Sequence, residues 1–232
     1  MVVIEANNAN ELFVNIAKQL KSVGVKKSPR GLETIEIQHA MLILRDIKDA
    51  VVTLPERNIN FKYLQGELDW YESGSLQLKD IEKHSSFWKK IANSDGTVNS
   101  NYGYFVYKQL VNGRSQFDWC YEKLQSDANS RQATIAYNQP MHKYDDNKDY
   151  VCTLSQSFII NNHGELDSVV HMRSNDLIYG LSYDLPWFTS VQRKLAKKLN
   201  VATGNYYHYA MSLHVYKRYY NMLNAIANAG TQ

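Results

Sequence analysis

From Ala133 to Met172 the apolar residues alternate instead of recurring at helical spacing, and that change of period limits the fold more than any other feature of the chain. Segments 133–138, 150–160 and 166–172 read as strands, the last two joined through Asn161-Asn162-His163-Gly164, a hairpin signal. A further strand is predicted over 206–216, with His208, Ala210, Ser212, His214 and Tyr216 on one side. The first half is more helical. Helical spacing marks 10–20, with Asn10 as cap and Leu12, Phe13, Ile16 and Leu20 on one face, and then 61–71, 86–92 and 117–124. A strand over 34–44 separates the first two. Ser174 can cap a long helix running from Asp176 to about residue 199, broken or kinked at Pro186, and a last helix covers 219–227. Helices and strands segregated in this way describe an α+β protein. A length of 232 residues suits one domain spanning 1–232.

Several function classes are disfavoured at once. A net charge of +3 is too weak for a nucleic-acid-binding face, although it suits a small anion. The two cysteines, Cys120 and Cys152, cannot build a disulfide framework and have no metal-pair spacing, so no metal is expected. The N-terminus lacks the basic and apolar regions of a signal peptide, and no apolar run reaches the length of a membrane span. The expectation is a cytoplasmic protein with free thiols.

Read without a family in mind, the possible chemistry is thin. Glu67 shares a helix face with Leu64, Leu68 and Tyr71, where an acid usually lies at the edge and reaches water. Cys152 is one cysteine in a strand, and burial is the common fate of such a residue. No phosphate loop, dinucleotide glycines or metalloprotease pair is present.

The order of several motifs adds more. Cys152 is followed by Met172-Arg173-Ser174-Asn175-Asp176, then Gly180 and Asp184 at four-residue steps, then His214-Val215-Tyr216. This resembles the thymidylate synthase family, whose pattern is a nucleophilic Cys, Arg-Ser-x-Asp, Gly, a polar residue and His-x-Tyr. Upstream, Glu67-Leu68-Asp69-Trp70-Tyr71, the stretch from Trp88 to Tyr102-Gly103, and Ser130-Arg131 are similar to further family segments. The resemblance covers about 61–220. Within the family it is nearest the phage deoxycytidylate (dCMP) 5-hydroxymethylase branch, through Lys79-Asp80-Ile81, Asn99-Ser100-Asn101-Tyr102-Gly103 and Cys152-Thr153. Three positions set it apart from an ordinary synthase: Asp184 in place of Asn, Thr153 in place of His, and Ile91 in place of Trp.

The resemblance implies a mixed sheet with flanking helices, one sheet face forming a dimer interface, and 5,10-methylenetetrahydrofolate as co-substrate. It implies Cys152 as nucleophile on the pyrimidine, Glu67 as manager of proton transfers through water, and Asp184 as the reader of the cytosine amino edge. Asp176 would serve the ring-proton chemistry and the folate, which Trp88 and Tyr102 would also meet. Arg173, Ser174 and Asn175 would lie at the nucleotide, His214 and Tyr216 at its 3′-hydroxyl, and Arg131 would cross to the phosphate of the partner's site in a homodimer. If the source is a phage, the compartment is the host cytoplasm. The sequence departs from the family at Gln132, where a second arginine is usual, and at Ser157, where a Gln is usual and Gln156 stands one earlier. Arg30 matches a phosphate loop only loosely. A dCMP or dUMP 5-methylase, a CMP hydroxymethylase, and a nucleotide-binding assembly protein without turnover stay open as alternatives.

Overall fold

A computed structural model describes residues 1–229. In chain order its elements are β1 (Val2–Ala6), α1 (Ala9–Val23), β2 (Val25–Lys27), β3 (Thr34–Leu44), α2 (Phe61–Ser73), α3 (Leu78–Glu82) and α4 (Trp88–Ile91). There follow β4 (Leu110–Val111), β5 (Arg114–Ser115), α5 (Gln116–Ser126), β6 (Thr134–Ala136), β7 (Thr153–Ile160), β8 (Glu165–Met172) and β9 (Asn175–Asp176). The chain ends with α6 (Ser182–Leu199), β10 (Ala202–Tyr216) and α7 (Tyr220–Asn228). It divides into two compact units, residues 1–59 with the chain from Ile160 onward, and Asn60–Ile159.

In the first unit the long strands β3 and β10 form the centre of a mixed sheet. They run antiparallel, with Tyr206 opposite Leu44 and Tyr216 opposite Thr34. Strand β1 adds to β3 in parallel, and β8 adds to β10 in parallel. On α1, the predicted stripe Leu12, Phe13, Ile16 and Leu20 is fully buried. The cap is Asn8 rather than Asn10: the Asn8 side chain accepts from Glu11 N at 2.9 Å, while Asn10 is occupied with Thr53. Glu11 in turn accepts from the amide of Asn7, the residue before the cap, at 2.8 Å, and the helix starts earlier than the periodicity suggests.

Two irregularities of this unit matter for the site. In β10 the burial alternates through Tyr206, His208 and Ala210, breaks at exposed Met211, and gives way to three consecutive buried residues, Leu213, His214 and Val215. Opposite the break, His39 takes φ 58°. Burial therefore does not follow the predicted single face from His208 to Tyr216 beyond Ala210. The second irregularity precedes α6. The helix runs unbroken through Pro186, and the departure from regular geometry is a wide π-type turn over Leu177–Leu181. Asp176, not Ser174, caps this turn by accepting from Ile178 N at 3.0 Å.

In the second unit, α2 starts at Asn60, whose side chain accepts from Tyr63 N at 3.0 Å, and stops at Gly74 in the left-handed region. The helix predicted over 86–92 contracts to the four residues of α4, and α3 carries another short helical stretch before it. Strands β4 and β5 are a hairpin turned by Asn112 (φ 53°) and Gly113 (φ 77°), an Asn-Gly pair suited to the left-handed positions of such a turn. Strand β6 pairs antiparallel with β7. Strand β7 begins at Thr153, not at 150, so Cys152 stands just before the strand.

Candidate active site

The residues named from sequence gather into two groups, one in each unit. In the first unit, β9 brings Asn175 and Asp176 alongside β10, in register with Leu213 and His214. The His214 ring meets Tyr216 edge-on at 5.2 Å. The π-type turn then returns Asp184 toward β9, where its Oδ2 accepts from Asn175 Nδ2 at 2.8 Å. Gly180 allows this approach, because a Cβ there would lie 2.9 Å from Asn175 Nδ2 and 3.4 Å from Asp184 Oδ2. Arg173 and Ser174, immediately before β9, are half-buried.

The electrostatics of this group are unusual. Asp184 is 7% exposed. Burial pushes its carboxyl up to about 7, against the lowering effect of the Asn175 amide, and the negative charge of Asp176 adds to the rise. Asp176 is itself raised by burial, a rise opposed by the Ile178 amide and by His214. Near neutrality Asp184 can carry a proton, so it can donate as well as accept. Asn175 Oδ1 is buried and has no hydrogen-bond partner among the described residues. An orphaned acceptor beside a protonatable acid fits a ligand that brings its own donor.

The turn beneath this group is clamped by Arg57, a residue that belongs to none of the motifs. Arg57, 4% exposed, donates from Nη2 to Ile178 O at 2.6 Å and to Ser182 Oγ at 3.0 Å. Its guanidinium also lies near the ring faces of Tyr179 and Tyr183, 5.6 and 5.4 Å from their centroids. The Ser182 hydroxyl also donates to the Ile178 carbonyl, at 2.5 Å, so the arginine and the serine together hold this turn.

In the second unit, Cys152 is half-buried and its thiol donates to Tyr150 O at 3.8 Å. The backbone leading to it is held at two points. Asn138 Nδ2 donates to Val151 O at 2.8 Å, and the Asp149 carboxylate accepts from Asn99 N, Ser100 N and Ser100 Oγ. The other thiol, Cys120, is fully buried, and burial pushes it up to about 12. Cys152 is thus the thiol with access to a reactant. Thr153 beside it is fully buried, and its Oγ1 has no partner among the described residues.

Glu67 does not sit at the edge of its helix face, as such acids usually do. It is 5% exposed, because Leu64, Gly66, Trp70 and Tyr71 bury with it while Leu68 turns half outward. Tyr63, one turn earlier, donates to Glu67 Oε1 at 2.6 Å. Tyr102 stacks on Tyr71 with centroids 5.1 Å apart, and Gly103 lets the chain pass so close to the Tyr71 carbonyl that no Cβ could fit. Trp88 packs on Trp70 at 4.9 Å. Both Tyr102 and Trp88 therefore have a core role whatever else they do. Ile91 is half-buried. Gln156 is the fully buried member of the Gln156-Ser157 pair and accepts from Tyr137 OH at 3.0 Å, while Ser157 bonds Thr134. Arg131 is exposed.

Comparison with known proteins agrees with these motifs. The thymidylate synthase family model matches residues 11–229. The chain belongs to the thymidylate synthase family. Among curated relatives, it is 30% identical to the deoxycytidylate 5-hydroxymethyltransferase of Enterobacteria phage T2, over 99% of this chain and 94% of that protein. It is 28% identical to the deoxyuridylate hydroxymethyltransferase of Bacillus phage SP01, over 93% of this chain and 59% of that longer protein. Among solved structures, thermostable thymidylate synthase A from Bacillus subtilis superposes with a TM-score of 0.76 at 21% identity, covering 94% of this chain and 83% of the synthase. The fold is thus that of the family, α+β with a mixed sheet and flanking helices. Among the described residues there is no cluster of metal-capable side chains and no helix long and apolar enough to cross a membrane.

Proposed function

We propose that the protein transfers a one-carbon unit to C5 of dCMP and releases 5-hydroxymethyl-dCMP, as a single catalytic domain that works in a homodimer. The observation that carries the reading is the carboxyl of Asp184, buried and pushed up to about 7 at the position where dUMP synthases have an amide. Cytosine offers a donor at its amino group and an acceptor at N3. A carboxyl that shares a proton with N3 and accepts from the amino group matches both, and the shared proton draws electrons from the ring as a nucleophile approaches. The relatives named for deoxycytidylate support this substrate. The relative named for deoxyuridylate indicates that the base is selected by local residues and not by the family fold.

5,10-Methylenetetrahydrofolate supplies the carbon when bound, and Trp88, Tyr102 and Asp176 are the residues proposed to hold it. Cys152 adds as thiolate to C6, which makes C5 nucleophilic. Asp184 balances the charge that develops on the ring. Glu67 moves protons through water, including the water whose oxygen ends in the product. Arg173 and Ser174 take the 5′-phosphate, Arg131 reaches the phosphate in the partner subunit's site, and His214 with Tyr216 takes the 3′-hydroxyl. Asn175 sets the orientation of Asp184.

The test is tritium release from 5-tritiated dCMP and dUMP with methylenetetrahydrofolate present. The expected outcome is preference for dCMP, no dihydrofolate, and loss by on the order of 10⁴-fold or more in Cys152→Ser. Preference for dUMP removes the substrate assignment. Dihydrofolate formation makes the protein a methylase.

A further inference from the structure

We propose that Tyr63 is a positioning residue for the water-addition step, acting through Glu67; this rests on the hydroxymethylation reading above. Its phenol is the middle of a three-member chain. Trp88 Nε1 donates to Tyr63 OH at 3.2 Å, and Tyr63 OH donates to Glu67 Oε1 at 2.6 Å. The direction of the chain follows from the groups themselves. An indole nitrogen can only donate and an ionised carboxylate can only accept, so the phenol proton is committed to Glu67. The helix enforces the pairing, since Tyr63 and Glu67 are four residues apart on α2 and Asn60 fixes the turn that carries Tyr63. Both ends of the chain are buried, Glu67 and Trp88 each at 5% exposure. A bond of this length fixes one carboxyl oxygen of Glu67 in place.

This arrangement bears on one step. Water bonds through its oxygen to the exocyclic carbon of the intermediate, its proton passes to Glu67, and the displaced electron pair re-forms the C5–C6 double bond as the Cys152 sulfur departs as thiolate. Glu67 must meet that water in one orientation while changing from acceptor to acid. Tyr63 suits both states, because a phenol oxygen has a second lone pair and can accept from the protonated acid while still holding Trp88. The hydroxyl thus keeps the acid oriented throughout the proton transfer.

The test uses the full chain with dCMP and methylenetetrahydrofolate. In Tyr63→Phe, kcat is expected to fall about tenfold, KM for dCMP to stay within twofold, and the solvent deuterium isotope effect on kcat to rise. In a Glu67→Gln background the same substitution is expected to change kcat by less than twofold, since a residue acting through Glu67 has nothing left to position. A tenfold loss repeated in that background overturns the proposal, as does an unchanged kcat or a rise confined to KM. Wild-type protein that forms no hydroxymethyl product defeats the hydroxymethylation reading instead, before Tyr63 is changed.

Discussion

Asp149 and Asp184 are both nearly buried carboxyls, one in each unit, and burial raises both. Their surroundings differ. Asp149 accepts from two backbone amides and a hydroxyl, all within Asn99-Ser100. Asp184 receives one side-chain amide, faces the charge of Asp176, and has the orphaned Asn175 Oδ1 as a neighbour. A structural acid and one kept for a ligand differ in how fully their acceptor oxygens are met from within the protein. Internal donors satisfy the first, so it ties two segments together. The second is left short of donors, so its proton is available to a substrate.

The sharpest way to break the comparison is Asp184→Asn. Turnover of dCMP is expected to fall roughly 10³-fold relative to dUMP, because an amide cannot share a proton with cytosine N3. Steady-state kcat/KM for the two nucleotides measures this, and an unchanged ratio would falsify the ligand role. Next in size is a pH effect on stability. The folded pKa of Asp184 is raised, so its contribution is fully present below about 4, where the unfolded carboxyl is also protonated. Between about 4 and 7 the unfolded chain ionises while the folded protein keeps the proton, and stability is lost as pH rises, by on the order of 3 kcal/mol. Urea midpoints across that range should show this slope in the wild type and its loss in Asp184→Asn. The smallest effect belongs to Asp149→Asn. Replacing one acceptor oxygen with a donor should cost about 1–2 kcal/mol in urea unfolding and leave the dCMP-to-dUMP ratio where it was. A changed ratio would mean that Asp149 also reads the base.

Period and motif order determined much of this protein directly from its sequence: the α+β class, the buried stripe of α1, helix α2 and the long strands β3 and β10. The order of Cys152, Arg173 to Asp176, Gly180, Asp184 and His214-x-Tyr216 was enough to state the family before any coordinate. These features are legible because they depend on local spacing or on fixed residue identities. What the tertiary structure alone decided depends on residues far apart in sequence. The Arg57 clamp on a turn more than a hundred residues away, the burial of Glu67, and the break in β10 opposite His39 are of this kind. Hydrophobic pattern cannot register a polar side chain that is buried because a distant donor meets it, since that stabilisation exists only once the chain has folded. The raised acid at Asp184 is the same case: its identity was plain in the sequence, and its proton affinity was set by the packing around it.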